Sequence, residues 1–148
     1  MHERRLPRIL IVDEQSSTAG AYRDVLELNG FEVAVAPTGG EALSMAVSGW
    51  PHLVLLDLTL PDIDGLTVLE RMRKDGRSAS LAVIILSNEE RPSLMHCAFE
   101  LGALDYMRKS RVTPEAVALR VKAWARVMSR SDMATVPAGL ELLPRPSL

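Results

Sequence analysis

Cysteine is nearly absent from these 148 residues. The single Cys97 excludes an internal disulfide, so a reducing compartment is the expected setting. An excess of positive charge is also lacking: 17 Lys and Arg stand against 19 Asp and Glu, a formal net charge of −2. Nucleic-acid binders normally carry a basic field or stripe, so no direct nucleic-acid contact is expected. The basic clusters HERRLPR and RKSR are short and flanked by acids. No apolar run has the length of a membrane span, and the N-terminus has no apolar signal core. The expectation is a cytoplasmic protein without membrane association.

What is present is an ordinary globular balance, 47% apolar and 24% charged, in a length that suits one domain with a real core. Four apolar runs stand out: RILIV (Arg8–Val12), FEVAVA (Phe31–Ala36), LVLLDL (Leu53–Leu58) and LAVIILS (Leu81–Ser87). A weaker fifth, ALDYM, spans Ala103 to Met107. The first, third and fourth are almost continuously apolar, as in strands buried on both faces of a parallel sheet. The second alternates more, which predicts an edge strand.

Helical segments with readable ends separate these runs. From Ser16 to Asn29, Tyr22, Val25 and Leu26 share a face, and Asn29-Gly30 makes a left-handed stop. Thr38 to Glu41, TGGE, is a capping box opening a helix that buries Ala42, Leu43, Ala46 and Val47. Gly65 to Lys74 places Leu66, Leu69 and Met72 or Arg73 at helical spacing, and Ser93 to Leu101 forms a shorter helix ended by Gly102. The last helix starts at the cap Thr113 with Pro114 in its first position, and carries a stripe of Val117, Val121, Trp124 and Met128. Five alternations of strand and helix predict a three-layer α/β domain with parallel strands. The expected boundaries are an N-terminal extension over 1–7, the domain over 8–130, and a flexible tail or linker over 131–148. Within the tail, GLELLPRPSL has enough Leu for a short docking segment, but a disordered tail is the expectation.

In an open parallel sheet, ligands bind outside the carboxyl ends of the strands. Strand one ends in Asp13-Glu14, strand three in Asp57 and strand four in Ser87, and Lys109 lies just past strand five. Each alone reads as a cap, a turn residue or a surface lysine. Together at one sheet edge they are three acids, a hydroxyl and a cation. Clustered carboxylates repel one another unless positive charge sits among them. Lys109 supplies one charge, and a hard divalent cation, Mg²⁺, suits an all-oxygen remainder. Zinc-type Cys or His ligands are missing from these strand ends, and His52 falls at the opposite edge, where a structural or exposed role is expected. A metal, a cation and a hydroxyl around one carboxylate are equipment for phosphoryl transfer, with Asp57 as nucleophile. Asp62 and Asp64 read as loop solvation and helix capping.

These segments, ILIVDE, LVLLDLTLPDIDGL, VIILS and LGALDYMRKS, resemble in order and spacing the signature segments of response-regulator receiver domains of two-component signalling. The likeness covers roughly Arg8 to Met128 and is of the single-domain, chemotaxis-regulator kind. It implies a flavodoxin-like doubly wound sheet in the order 2-1-3-4-5, with helices on both faces. It further implies that Asp57 accepts a phosphoryl group from a histidine kinase or histidine phosphotransfer protein. Asp13, Asp57 and the backbone carbonyl of Thr59 would bind Mg²⁺, with Glu14 acting through metal-bound water. Ser87 and Lys109 would hold phosphoryl oxygens, and Tyr106 would be the switch aromatic that turns inward as Ser87 moves. Such a protein is a signalling phosphoacceptor rather than an enzyme, assisting its own phosphorylation and dephosphorylation. Its output surface, on the fourth helix, fifth strand and fifth helix, would include Met95, Glu100, Tyr106, Arg108, Arg120 and Trp124, although Trp124 also fits the core. An unknown downstream protein, or a second copy in a phosphorylation-dependent homodimer, would dock there.

Two positions depart from the family pattern. Ser110 follows Lys109 where the family usually has a proline, commonly joined by a cis peptide. Non-proline cis bonds cost about 3 kcal/mol, which predicts relaxation to trans and an altered placement of Lys109. Asn88 follows Ser87 where Ala or Gly is usual, and its bulk would modulate access to Asp57. These departures motivate a second reading, a receiver-fold interaction module independent of phosphate. A third, an aspartate-nucleophile phosphohydrolase, lacks the usual second Asp two residues on, where Thr59 stands. The chain as given resembles a stand-alone receiver, or equally a receiver cut from a longer protein.

Overall fold

The computed structural model describes residues 7–129. In chain order these form β1 (Arg8–Val12), α1 (Ser16–Leu28), β2 (Glu32–Ala36), α2 (Gly39–Val47), β3 (Leu53–Leu56), α3 (Gly65–Lys74), β4 (Ala82–Leu86), α4 (Pro92–Glu100), β5 (Asp105–Met107), a 3₁₀ turn (Lys109–Arg111) and α5 (Pro114–Ser129). All five strands are parallel, in the order β2-β1-β3-β4-β5, with β2 at one edge as its alternation predicts. Most elements trim by one or two residues at their ends, and the fourth helix shifts one residue toward the N-terminus. The third strand stops at Leu56, two residues before the apolar run does, and the fifth keeps only three residues of its run. Helix α4 begins at Pro92, whose missing N–H costs nothing in a first helical turn. The N-terminal extension, Arg130 and the tail that contains GLELLPRPSL lie outside the described residues, apart from Pro7.

Period-two alternation splits the core into two layers. Leu10, Val12, Val54, Leu56, Val83 and Ile85 face α2, α3 and α4. Ile9, Ile11, Leu53, Leu55, Ile84 and Leu86 face α1 and α5. Each fully buried Leu or Ile contributes about 1.5–3 kcal/mol, and β3 buries all four of its side chains. Hydrogen bonded to β1 on one side and β4 on the other, β3 is the central strand of the sheet and is covered on both faces. The residue leaving its end is therefore held with little freedom.

Register decides what meets at that end. Val12 pairs with Leu56, Leu56 with Ile85, and Leu86 with Met107. Asp13 and Asp57 thus emerge side by side, and the Asp57 N–H still donates to the Val12 carbonyl at 3.0 Å. Gly65 keeps the following loop close. Its N–H donates to the Leu58 carbonyl at 2.8 Å, and a β-carbon there would lie 2.6 Å from Leu58 Cα and closer still to the Asp57 carbonyl. Asp64 caps α3, accepting from Thr67 N at 3.0 Å and Thr67 Oγ1 at 2.8 Å. Asp62 does more than solvate the loop: it accepts from Gly39 N at 2.8 Å and Gly40 N at 2.9 Å, so the β3–α3 loop caps the neighbouring helix α2. Those two bonds hold its carboxyl below the ordinary value. Thr38 accepts from Glu41 N as the capping box predicts. The choice between Met72 and Arg73 also resolves. Met72 is buried, while Arg73 donates to the carbonyls of Ala79, Leu81, Leu101 and Gly102, tying α3 to the loops before β4 and β5.

Candidate functional site

Four of the residues expected at the sheet edge touch one another. Lys109 Nζ lies 2.6 Å from Asp13 Oδ2 and 2.6 Å from Asp57 Oδ2. Ser87 Oγ donates to Asp57 Oδ1 at 2.9 Å, and Thr59 N donates to the same oxygen at 3.1 Å. Asp13 Oδ1 accepts from Gln15 N at 2.9 Å. Asp13 and Asp57 are only 3% and 7% exposed. Above Asp57 opens a cavity of about 140 Å³ lined by Glu14, Gln15, Asp57, Thr59, Ser87, Asn88 and Lys109. Glu14 is exposed on its wall, and Thr59 contributes both its N–H and its place beside the space.

The outlying residues are more informative than the central ones. The Lys109–Ser110 peptide is trans, as the missing proline predicts, yet Lys109 still reaches both carboxylates. Ser110 itself is outside the cavity; its N–H donates to Asn88 Oδ1 at 2.8 Å, so the two unusual positions contact each other. Tyr106 is buried: its hydroxyl donates to the Glu89 carbonyl at 2.6 Å, and burial raises its pKa to about 12. Met95 is likewise buried, so neither residue is open surface. Both line a cavity of about 470 Å³ with Arg108 and Arg120. Trp124 packs partly against the core and donates from Nε1 to Asp105 at 3.0 Å. His52 is exposed at the opposite edge, accepting from Arg8 N at 2.9 Å.

Electrostatics define what the site can hold. Burial works against the Lys109 ammonium, but hydrogen bonds to Asp13 and Asp57 outweigh it and raise its pKa above the ordinary 10.5. Two buried carboxylates against one ammonium leave a net negative charge. The donors available are all oxygen, which fits a hard divalent cation such as Mg²⁺. Among the described residues no three His, Cys, Asp or Glu side chains converge into a cage. Such an ion would therefore draw on two carboxylates, a carbonyl and water, the sparse coordination Mg²⁺ accepts.

Sequence reasoning missed one neighbour of the site and one buried ion pair outside it. Tyr22, read only as core, lies near enough for its phenol to feel Lys109, Asp13 and Asp57, with burial the larger influence on its raised pKa. Its place on the inward face of α1 was the available signal. Asp105 was read as part of a strand, but it is 2% exposed and bound by Arg120, Trp124 and the Tyr106 N–H. Only the carboxylate within an apolar run, ALDYM, hinted at it.

Known proteins resemble this chain in sequence and fold. The family model for the response regulator receiver domain matches residues 9–122. The DNA-binding dual master transcriptional regulator RpaA of Synechocystis is 36% identical over 129 residues, covering 87% of this chain and 53% of RpaA. The alkaline phosphatase synthesis transcriptional regulatory protein PhoP of Bacillus subtilis is 35% identical over 127 residues, 86% of this chain and 50% of PhoP. The chain thus spans about half the length of these curated relatives. Among solved structures, a CheY-like receiver domain from Methanospirillum hungatei superposes with a TM-score of 0.79 at 28% identity, covering 86% of this chain and 99% of that one. No described helix is long and apolar enough to cross a membrane. Since the family match runs from β1 into α5 and takes in every strand end at the site, the chain belongs to the response regulator receiver domain family of two-component signalling.

Proposed function

We propose that this receiver takes a phosphoryl group on Asp57 from a phosphohistidine donor, a histidine kinase or phosphotransfer protein, and relays the signal by protein contact. The observation that carries this reading is the Asp57 carboxylate itself. It is buried on its strand side, bound by Lys109 and Ser87, and still faces a cavity. An Asp57 oxygen attacks phosphorus as the phosphorus–nitrogen bond of the donor breaks, and the histidine leaves as neutral imidazole. Lys109 neutralises charge on the phosphoryl oxygens, and the Ser87 hydroxyl, now on Oδ1, turns to donate to one of them. The chemistry is positioning and charge, so the rigid end of β3 matters as much as the nucleophile.

Asp13, Asp57 and the Thr59 carbonyl would hold Mg²⁺, with Glu14 reaching it through water. Bound there, the ion supplies further neutralisation of the transferring group. The acyl phosphate adds nearly two negative charges next to Lys109 and Ser87. Tyr106 and the groove it lines with Met95, Arg108 and Arg120 are the route by which that change reaches α4, β5 and α5. A downstream protein or a second copy of the chain binds that face, in the cytoplasm. The names of the relatives point to transcription as the process served.

Incubation with Mg²⁺ and acetyl phosphate should add one phosphoryl group to the wild type by intact mass and none to Asp57→Asn. Equal labelling of the variant, or no labelling of the wild type under conditions that label another receiver, would sink the reading. Partner binding that survives Asp57→Ala would favour a phosphate-independent module. Multiple-turnover phosphate release from small esters would favour a phosphohydrolase.

A further inference from the structure

Beyond Leu86 and Met107 the pairing of the two segments continues without strand geometry. Ser87 N donates to the Met107 carbonyl at 3.0 Å, and Lys109 N donates back to the Ser87 carbonyl at 3.4 Å. That second bond is at the long end of hydrogen-bond geometry. The next rung is made by a side chain: Asn88 Oδ1 accepts from Ser110 N at 2.8 Å. Lys109–Arg111 is a 3₁₀ turn, closed by Arg111 N to the Arg108 carbonyl at 3.0 Å. The first N–H groups of such a turn have no partner within it. Here those are Lys109 and Ser110, and the segment after β4 accepts both. Alanine or glycine at position 88 would have no oxygen to offer.

Lys109 needs accurate delivery. Its Nζ spans two carboxylate oxygens at 2.6 Å each from a turn of only three residues. The turn is held on one flank by a long backbone bond and on the other by the short bond to Asn88. Asn88 also lines the cavity over Asp57, so the holding group stands in the wall of the site. We propose that the Asn88–Ser110 hydrogen bond is a latch that positions Lys109 against Asp57 and Asp13, which makes Asn88 a positioning residue. Its consequence for phosphorylation rests on the reading of Asp57 as phosphoacceptor. Its effect on Lys109 does not.

The test compares the full chain with Asn88→Ala, Asn88→Leu and Asn88→Asp. Leucine keeps the bulk of asparagine without an acceptor, and aspartate keeps the acceptor. Three readouts are taken: hydrogen exchange at the Ser110 amide, the rate of Lys109 acylation by an amine reagent followed by peptide mass, and the rate of Asp57 labelling by acetyl phosphate with Mg²⁺. Loss of one net hydrogen bond corresponds to a factor of about three to ten. Ala and Leu should both speed Ser110 exchange and Lys109 acylation by that factor and slow Asp57 labelling similarly. Asp should restore Ser110 protection and the slow acylation of Lys109. Wild-type behaviour of Leu in all three readouts would overturn the latch in favour of side-chain bulk. Faster Ser110 exchange with unchanged Lys109 acylation would overturn the positioning role. If the wild type shows both protections and the variants lose them, but Asp57 is never labelled, the latch stands and the phosphoacceptor reading fails.

Discussion

Two regions of this molecule bury an aspartate beside a cation, and they are built to opposite ends. At the start of β5, Asp105 accepts from Tyr106 N at 2.9 Å, Arg120 Nη2 at 3.0 Å, Arg120 Nε at 2.5 Å and Trp124 Nε1 at 3.0 Å. One carboxylate meets one guanidinium, both oxygens are doubly bound, and the charge closes. At the end of β3, two carboxylates share one ammonium, and a cavity stands over the second of them. A balanced, saturated pair holds β5 to α5 and has no attraction left for a further ion. An unbalanced, accessible one retains attraction for a further cation and space for a reacting group. Charge surplus and room, rather than burial of an acid as such, separate the candidate site from the scaffold.

The largest effect should come from breaking the balanced pair. Asp105→Ala strands the Arg120 guanidinium, 28% exposed, and breaking a buried pair costs about 3–5 kcal/mol, with the lower end apt for this exposure. Urea denaturation should show a loss of about 3 kcal/mol, while acetyl phosphate still labels Asp57 in the folded fraction. Asp57→Ala should stay within about 1 kcal/mol of wild type, because Lys109 keeps Asp13 as partner.

Next is the divalent cation. Mg²⁺ at a hundredfold over its Kd should stabilise the wild type by about 2.7 kcal/mol. A chelator should reverse this, and Asp13→Asn should remove it. An equal response in Asp13→Asn would mean that the surplus charge at β1 and β3 is not what attracts the ion.

Base should produce the smallest difference. The folded-state pKa of Lys109 is raised above 10.5, so its contribution is complete below the unfolded value and is lost as pH rises through the folded one. Tyr106, raised to about 12, also weakens the fold in base because the unfolded chain releases that proton first. The useful quantity is therefore the difference between wild type and Lys109→Met. The thermal midpoint of the wild type should fall more steeply above pH 10.5. An Arg120→Met comparison should show no such excess, since Arg120 pairs with Asp105 and not with the carboxylates that hold Lys109.

Much of this was legible in the residues. Continuous apolar runs marked β1, β3 and β4 as doubly covered, and the polar residue ending each run marked the working edge. The order of strand and helix then placed Asp13, Asp57, Ser87 and Lys109 together. Asp64, Thr38 and Thr113 were readable as caps because their partners lie three residues away in the chain. Asp62 was not, since the N–H groups it caps are 22 and 23 residues away. The carbonyls gathered by Arg73 were hidden for the same reason, and so was the burial of Tyr106.

Local chemistry was thus settled by the sequence alone: where strands run, where helices start, and which side chains follow each strand. Periodicity and capping act over a few residues, and any sequence with this pattern carries them. Tertiary structure alone decided how these groups are shared. It put one lysine between two carboxylates, gave Asp105 a full set of donors, and brought Asn88 to the Ser110 amide across 22 residues. Those pairings depend on register and on loop paths. A one-residue slip would leave the apolar pattern recognisable and the site dismantled.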